Sequence, residues 1–574
     1  MNIKQQLEST IDSALSAAGA SNCPAIVKQS QKAAFGHYQA NGVMDAAKQI
    51  GMNPRELAGT LVESLNLPQA EKVEVAGPGF INIHLDNSYI SNELTKLRKD
   101  ELLGVVREKS NTTVIDYSAP NLAKEMHIGH LRSTTIGDAA ARILEFLGHT
   151  VIRANHMGDW GAQFGSLLAY MDLIGQEGQE LSTELSDLEV FYRKASALRE
   201  SDEVFAKQSR EYVVRLQNGD PQCLELWQQF IEESVSHCQT VYDRLNITLT
   251  RADIKAESSY NDDLIPVVNE LDRLGLIEVS DGAKCVFLDG FKGKDDKPLP
   301  AIVQKSDGGF PYMATDLAAV RFRAQNLKVG EALYFIDARQ TLHLRQLFAI
   351  SREAKYLDES QSFRHLPFGV ILKEDGKPFK TRDGADVKLA DVIEEAINRA
   401  YELVSVKNPG LADDVKSRIS QVIGVGALKY AELTKNRTTD YIFNWDTMLS
   451  FDGNTAPYLL YAYTRIRSIF RRSNIDPSTL ESSITLKEPT ELQLGLKLLQ
   501  FVEAIDAVTE DYQANILCNY LFELAGIFMS FYESCPILNA EGPVRESRLL
   551  IADTTARVLK QGLDLLGIET VEQM

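Results

Sequence analysis

Cysteine is scarce in this 574-residue chain, and its six examples, Cys23, Cys223, Cys238, Cys285, Cys518 and Cys535, stand apart with no C-x-x-C pair. That spacing excludes a disulfide framework. Only His237 adjoins a cysteine, so neither a structural zinc site nor any other protein-bound metal is expected. Positive charge is short as well: 80 acidic residues outnumber 60 lysines and arginines, giving a net charge of -20. This balance excludes a chain that coats DNA or other nucleic acid without specificity, while leaving local basic surface open. Long apolar runs are missing too, none being long enough to cross a bilayer. The opening Met1-Asn-Ile-Lys-Gln-Gln-Leu-Glu-Ser-Thr has neither the apolar core of a secretory signal nor the Arg-rich, acid-poor bias of a transit peptide. The expectation is a cytoplasmic protein with no membrane partner.

What is present is ordinary globular composition, 44% hydrophobic and 24% charged, in a chain long enough for three or four cores. Residues 1–110 read as an α+β domain, with a helical opening and then a strand, turn and strand from Lys72 to Leu85 around Gly77-Pro-Gly79. From Thr113 the pattern becomes a strand, a loop to Met126, a helix to about Leu147 and a strand from Thr150. Ile128, Leu131, Ile136, Ala139, Ala140, Ile143 and Leu144 form the helix's apolar face, and Gly148 stops it. A β-α-β crossover requires a parallel sheet, to which Leu333-Tyr-Phe-Ile336 and Gly369-Val-Ile-Leu372 are assigned as later members. The fold expected is multidomain α/β. A Rossmann-like parallel-sheet domain spans 111–391 with a largely helical, acidic insertion at about 167–300, and an all-α domain spans 392–574.

His127 and His130 flank Gly129 where the loop after a strand enters the first turn of a helix. A helix N-terminus offers unsatisfied N–H groups and a positive dipole end, which suits a nucleotide phosphate. Glycine lets a ribose or base approach the backbone, and histidines can donate to phosphate oxygens as charge builds at the α-phosphorus. A single histidine there would read as a cap or core contact. These do not stand alone, since Ser118-Ala-Pro-Asn121-Leu-Ala-Lys124 precedes them and Leu131-Arg-Ser133 follows.

Together these residues resemble the signature of the class I aminoacyl-tRNA synthetases, and the Ser-x-Pro-Asn-x-Ala-Lys run resembles the arginyl family in particular. His156-Met-Gly-Asp-Trp-Gly-Ala-Gln-Phe-Gly165, then Lys305-Ser-Asp-Gly-Gly-Phe-Pro-Tyr312 with Asp316, then Asp337-Ala-Arg-Gln340 with His343, continue the match in order. The resemblance implies ATP-dependent activation of L-arginine to an adenylate, with Mg2+ accompanying ATP, and transfer to the terminal adenosine of tRNA(Arg) by a monomer. It also implies that activation requires bound tRNA. Asp116, Ser118, Tyr312, Asp316 and Gln340 fall at positions it associates with arginine, and Asn121 with the α-amino group. A guanidinium is a planar five-donor fork that calls for acceptors in its plane. His127, Gly129, His130, Asp337 and His343 fall to ATP. The second class signature, usually Lys-Met-Ser-Lys-Ser, is degenerate here: Glu374-Asp-Gly-Lys377-Pro-Phe-Lys380-Thr-Arg-Asp-Gly384. The resemblance implies Lys124 as a substitute, so phosphate stabilisation rests either on Lys124 alone or on Lys124 with Lys377 and Lys380.

For tRNA contact, Tyr458-Leu-Leu-Tyr-Ala-Tyr-Thr-Arg465-Ile-Arg467-Ser-Ile-Phe-Arg471-Arg472 combines aromatics with acid-free arginines, and Arg467 and Arg471 share a helix face. The resemblance makes the helical C-terminal domain an anticodon-binding one. It gives the N-terminal domain a contact with the tRNA elbow, where Phe80 and Asn82 are the candidates. Two readings compete: a small-molecule adenylating ligase, against which the long helical end with its arginine cluster speaks, and a catalytically dead tRNA-binding paralogue, against which intact Asn121, Lys124, His127 and His130 speak.

Overall fold

The computed structural model describes residues 2–574 except 31, 108, 177–187, 294–295, 378 and 380–386. Its contacts fall into two units, one formed by 108–449 with 565–569 and the other by 1–107 with 450–564 and 570–574.

The first unit is built on a four-stranded parallel sheet in the order Ser362–His365, Glu331–Tyr334, Thr112–Asp116, Thr150–Ala154. The central strand pairs Val114 with Ala332 on one side and with Ile152 on the other. Thr113 to Asp116 are buried throughout, as a strand covered on both faces must be. Val114 belongs to a core with Leu271, Val303, Leu317, Leu347 and Phe363. Asp116, two residues on, points to that same face. Helix Gly129–Phe146 crosses over to the Thr150–Ala154 strand as expected.

Three details differ from the expectations drawn from sequence. Gly369-Val-Ile-Leu372 does not join the parallel sheet; Ile371–Leu372 pairs with Tyr441–Ile442 in a two-stranded sheet of its own. The fourth sheet member is Ser362–His365, which mixes polar side chains with Phe363 and so lacks the apolar run that would mark it. The described residues of the 167–300 interval are largely helical through Asn261–Arg273, and a three-stranded antiparallel sheet follows, Ile277–Ser280, Ala283–Val286 and Ala301–Gln304. Its first turn is Asp281-Gly282, both at positive φ (51° and 79°), which matches the twist of a two-residue hairpin. Finally, helices Leu389–Lys407 and Asp413–Leu433 pack on each other, and the second packs on Gly129–Phe146. Residues 392–449 therefore share a unit with the parallel sheet rather than with the helical end.

In the second unit an antiparallel sheet runs Val27–Gln29, Tyr38–Ala40, Phe80–Leu85, Ala70–Ala76. The helices Ala456–Ser473, Pro489–Leu499, Phe501–Asp511, Ala514–Ser534 and Gly542–Leu565 form its other part. Ala514–Ser534 is long and apolar enough to span a bilayer by length and composition alone, which corrects the expectation of no such run. Leu517, Leu521, Leu524, Phe528 and Phe531 on it are nonetheless fully buried against protein. Glu503 ties the two parts together: its buried carboxylate accepts from Tyr38 Oη at 2.6 Å, Gln29 Nε2 at 2.7 Å and the Lys4 amide at 3.3 Å. Replacing Glu503 with alanine leaves these donors without their acceptor, so a loss of about 3 kcal/mol in this unit's unfolding free energy is expected. Urea denaturation followed by a probe in the N-terminal sheet measures it.

Candidate active site

Beyond the Thr112–Asp116 strand the chain turns sharply through Ser118 and Ala119, both at positive φ (68° and 44°). Such strain persists only where the surroundings over-determine it, and here they do. The Ser118 amide donates to Ser133 Oγ at 2.9 Å and the Ala119 amide to Asn155 Oδ1 at 3.1 Å. The Ser118 hydroxyl sits between Tyr242 Oη and Thr134 Oγ1, each at 2.8 Å, so it holds the turn.

The turn delivers the chain to helix Gly129–Phe146, where two short contacts set the chemistry of both histidines. The Gly129 amide donates to His127 Nδ1 at 3.1 Å, and the His127 amide donates to His130 Nδ1 at 3.1 Å. An Nδ1 that accepts from an amide carries no proton, so each neutral ring bears its hydrogen on Nε2 as a donor. The rings stand 4.0 Å apart. Burial, with the neighbouring His127, pushes His130 down to about 3, so it works as a neutral imidazole. A Cβ on Gly129 would come within 2.8 Å of the His127 ring, which is why that position carries no side chain.

These residues open onto a cavity of about 810 Å³, large enough for a nucleotide with an amino acid beside it. It brings together Asp116, Ser118, His127, Gly129, His130, Tyr312, Asp316, Asp337, Gln340 and His343, all candidates from sequence, and adds His156, Glu257 and Arg323, to which sequence gave no role. Tyr312 and Asp316 lie one turn apart on helix Tyr312–Arg321. Asp316 is paired with His343 Nε2 at 2.6 Å and His156 Nε2 at 3.5 Å. Burial pushes its carboxyl up, but these two histidines outweigh burial and hold it well below the usual carboxylate range. His156 Nδ1 faces the Lys255 carbonyl at 3.1 Å. With an acceptor at each nitrogen the ring favours the imidazolium; burial opposes that charge, Asp316 more than restores it, and the pKa is raised.

Glu257 shares the same end, and burial pushes its carboxyl up to about 7. The Gly-Asp-Trp block positions it. Asp159 accepts from the Ser258 amide at 2.8 Å, and the Glu257 amide donates to the Met157 carbonyl at 3.0 Å. No periodicity marks Glu257, because it sits in a short 3₁₀ turn, Glu257–Tyr260, distant in sequence from its partners.

Asp116, expected to face a substrate side chain, lines the cavity and is also paired within the protein. Its Oδ2 forms an ion pair at 2.7 Å with Arg323, and both side chains are almost wholly buried. Arg323 lies in a π-helical stretch, Phe322–Asn326, that continues helix Tyr312–Arg321. The altered winding aims a charged residue into the core, a feature common at functional sites. A guanidinium already fills this floor.

Asn121, Lys124 and Lys377 are not among the cavity's lining residues. Asn121 Oδ1 accepts from the Ala123 amide and from Gln163 Nε2. Lys124 lies over the Tyr192 ring at 4.7 Å, and Lys377, 79% exposed, stands 3.8 Å from Asp375. Lys380 lies outside the described residues. From the same segment it is Phe379, packed on Phe443 at 5.0 Å, that reaches the cavity.

A cavity that joins a histidine pair at a helix start to a carboxylate-rich end agrees with the comparisons to known proteins. Residues 93–445 match the catalytic domain of the class I (R) tRNA synthetases, 459–574 the DALR anticodon binding domain, and 2–85 the arginyl tRNA synthetase N terminal domain. The chain belongs to the arginyl-tRNA synthetase family. An arginine–tRNA ligase of Hahella chejuensis is 54% identical over 578 residues, covering 100% of both chains, and one of Haemophilus influenzae is 52% identical over the same span and coverage. Among solved structures, arginyl-tRNA synthetase from Plasmodium falciparum superposes with a TM-score of 0.86 at 29% identity, over 100% of this chain and 99% of that one. The Thermus thermophilus enzyme, at 24% identity and a TM-score of 0.84 over 100% of both, shares the fold.

Within the family's anticodon-binding segment the arginines divide. Arg467 Nε pairs with Glu572 at 2.8 Å, and Arg471 donates to the Glu572 carbonyl. Arg465 instead lies between the rings of Tyr532 at 4.7 Å and Tyr461 at 5.8 Å, with Tyr461 41% exposed. Tyr458 packs on Phe522 at 5.5 Å. In the family's N-terminal segment Asn82 is buried and accepts from Gln39 Nε2 at 2.7 Å, while Phe80 begins its strand beside the Gly-Pro-Gly turn, partly exposed.

Replacing Arg323 with methionine keeps the volume but leaves the Asp116 carboxylate buried without a counter-charge. A loss of about 3–5 kcal/mol is expected, with much of it restored when Asp116 becomes asparagine in the same chain. Thermal unfolding of the single and double variants tests the pairing.

Proposed function

We propose that this member of the arginyl-tRNA synthetase family runs its two-step reaction in the one cavity, with the arginine side chain at the Asp316 end and the ATP phosphates at the His127–His130 end. The observation that carries this reading is the placement of opposite chemistries at the two ends: carboxylates held at Asp316 and Glu257, and neutral Nε2–H donors at a helix N-terminus. The arginine carboxylate attacks the α-phosphorus of ATP, the bond to the β-phosphate oxygen breaks, and pyrophosphate leaves with its electron pair. A ribose hydroxyl of the terminal adenosine of tRNA(Arg) then attacks the adenylate carbonyl, releasing AMP. His127 and His130 stabilise charge at phosphorus as donors, and the acceleration comes from positioning and preorganised donors.

At the other end Asp316 and Glu257, with Tyr312 and Gln340 beside them, supply acceptors for a planar guanidinium. A lysine ammonium leaves one acceptor underpaired, at a cost of about 2 kcal/mol or more. His156 and His343 act on Asp316 rather than on substrate. Magnesium is expected to arrive on the ATP phosphates, because among the described residues no three His, Cys, Asp or Glu side chains are grouped to hold a metal ion. Pyrophosphate is assigned to Lys124, either alone or with Lys377 and Lys380, and Arg465 with its two tyrosines to stacking and charge contact with the anticodon. We take the working form as a cytoplasmic monomer.

The purified chain is expected to exchange labelled pyrophosphate into ATP only when arginine and tRNA are both present. Exchange driven by lysine overturns the substrate, and exchange without tRNA overturns the order of events. A pH series makes a second test. With its pKa raised to about 7, Glu257 keeps a proton in the empty site below that pH, while a bound guanidinium selects the carboxylate. Arginine therefore binds with release of a proton, and its affinity is expected to rise several-fold, at most about tenfold per unit, as pH climbs from 6 toward 8. Glu257→Gln is expected to weaken binding and flatten this rise. For stability the linkage runs the other way: the folded chain retains a proton that the unfolded chain loses above 4.5, so Glu257's contribution declines as pH rises from there to about 7.

A further inference from the structure

Residues 387–389, and residues 369–372 on the way to Lys377, are both tied to the start of helix Gly129–Phe146. For 387–389 the tie is direct. His127 forms a β-bridge with Lys388, the Ile128 amide donates to the Val387 carbonyl at 2.9 Å, and the Leu389 amide donates to the Met126 carbonyl at 2.9 Å. For 369–372 the tie passes through a third segment. Ile371–Leu372 pairs with Tyr441–Ile442, the Gly369 amide donates to the Arg437 carbonyl at 2.9 Å, and the Val370 amide donates to Asp440 Oδ1 at 2.7 Å. Gly369 meets that segment so closely that a Cβ would stand 2.5 Å from Asp440 Oδ1.

What holds the third segment is a buried charged group. Arg132, on the first turn of helix Gly129–Phe146, donates to the Thr439 carbonyl at 2.9 Å and the Arg437 carbonyl at 3.3 Å, and its Nε pairs with Glu432 at 3.1 Å. The guanidinium lies 5.2 Å from the Tyr441 ring, and the Tyr441 hydroxyl donates to the other Glu432 oxygen. Arg132 is 1% exposed and Glu432 0%. One carboxylate thus joins the helix behind the two histidines to the strand Tyr441–Ile442, which pairs with the strand Ile371–Leu372 that leads toward Lys377. Simple packing would need no charge here, and a buried ion pair with an aromatic donor contributes geometry more dependably than stability.

We propose that Glu432 is a positioning residue for the ATP step: through Arg132 and Tyr441 it fixes the distance between the His127–His130 donors and residues 373–377 with Phe379. Arginine recognition, at the Asp316 end, lies outside this linkage. The inference rests on the reading that the histidines meet the ATP phosphates.

The test is steady-state aminoacylation by the full chain with arginine, ATP and tRNA, comparing wild type, Glu432→Gln and Tyr441→Phe, with rates divided by the titrated active-site concentration. Glu432→Gln keeps an acceptor for Tyr441 but strips Arg132 of its counter-charge. It is expected to raise KM for ATP and lower kcat by about tenfold each, because a displacement of well under 1 Å suffices. KM for arginine and for tRNA should stay within about twofold. Tyr441→Phe, which removes one hydrogen bond and no charge, is expected to show the same pattern in weaker form, and it serves as the test if the glutamine variant does not fold. Lowered thermal stability with an unchanged KM for ATP, or equal rises in KM for ATP and arginine, would overturn the proposal. Failure of the wild-type chain to arginylate tRNA would overturn the underlying reading instead.

Discussion

Helix Gly129–Phe146 is buried on every side from Leu131 to Ala141, and the site is organised around that constraint. A surface helix can leave polar groups to water, but a surrounded one must find partners for them in the protein. Arg132 is answered by Glu432, Ser133 by the Ser118 amide and the Phe335 carbonyl, and Asp138 by Arg142 and Thr248. Except for Arg142, which lies on the same helix, these partners come from different stretches of chain. Satisfying the helix therefore fixes the strand that ends at Asp116, the turn at Ser118 and the segment at 437–441. With Gly137 a Cβ's width from Tyr117, the helix has little room to slide.

Charge in the cavity follows from the same economy of partners. Asp116 and Arg323 neutralise each other in the cavity lining, and Asp316 is matched by His156 and His343. That leaves Glu257 as the carboxyl whose charge is least compensated, and burial accordingly raises its pKa. A cationic side chain entering this end supplies the missing counter-charge. At the opposite end backbone amides occupy the Nδ1 atoms of both histidines, and burial holds His130 neutral. Recognition of a cation and of phosphates can then coexist in about 810 Å³ without either end titrating the other.

Much of this is legible in local patterns of residues. The 3.6-residue period and the glycine stop mark helix Gly129–Phe146, alternation marks the hairpin of Ala70–Ala76 and Phe80–Leu85, and the His-Ile-Gly-His run with its neighbours marks the family. The misplaced features share a cause. Gly369-Val-Ile-Leu372 has the composition of a core strand, but which sheet it joins depends on Asp440 and Arg437, some 70 residues away. Asp116 sits at the end of a strand beside a nucleotide site, yet its partner Arg323 becomes inward-facing only through a π-helical turn. Glu257 lies in a short turn with no pattern of its own.

The amino-acid sequence alone determined where helix Gly129–Phe146 begins and ends, the N-terminal hairpin, and which family the chain belongs to, because these rest on local periodicity and on residues adjacent in the chain. Tertiary structure decided the rest: that Asp116 serves Arg323, that Asp316 is held by two histidines, that both histidines of the signature are Nε2–H donors, and that Glu432 stands behind the Lys377 turn. Each of these is a pairing of buried polar groups. Such groups take whichever partner the packed fold brings within about 3 Å, and that distance is not written in sequence spacing.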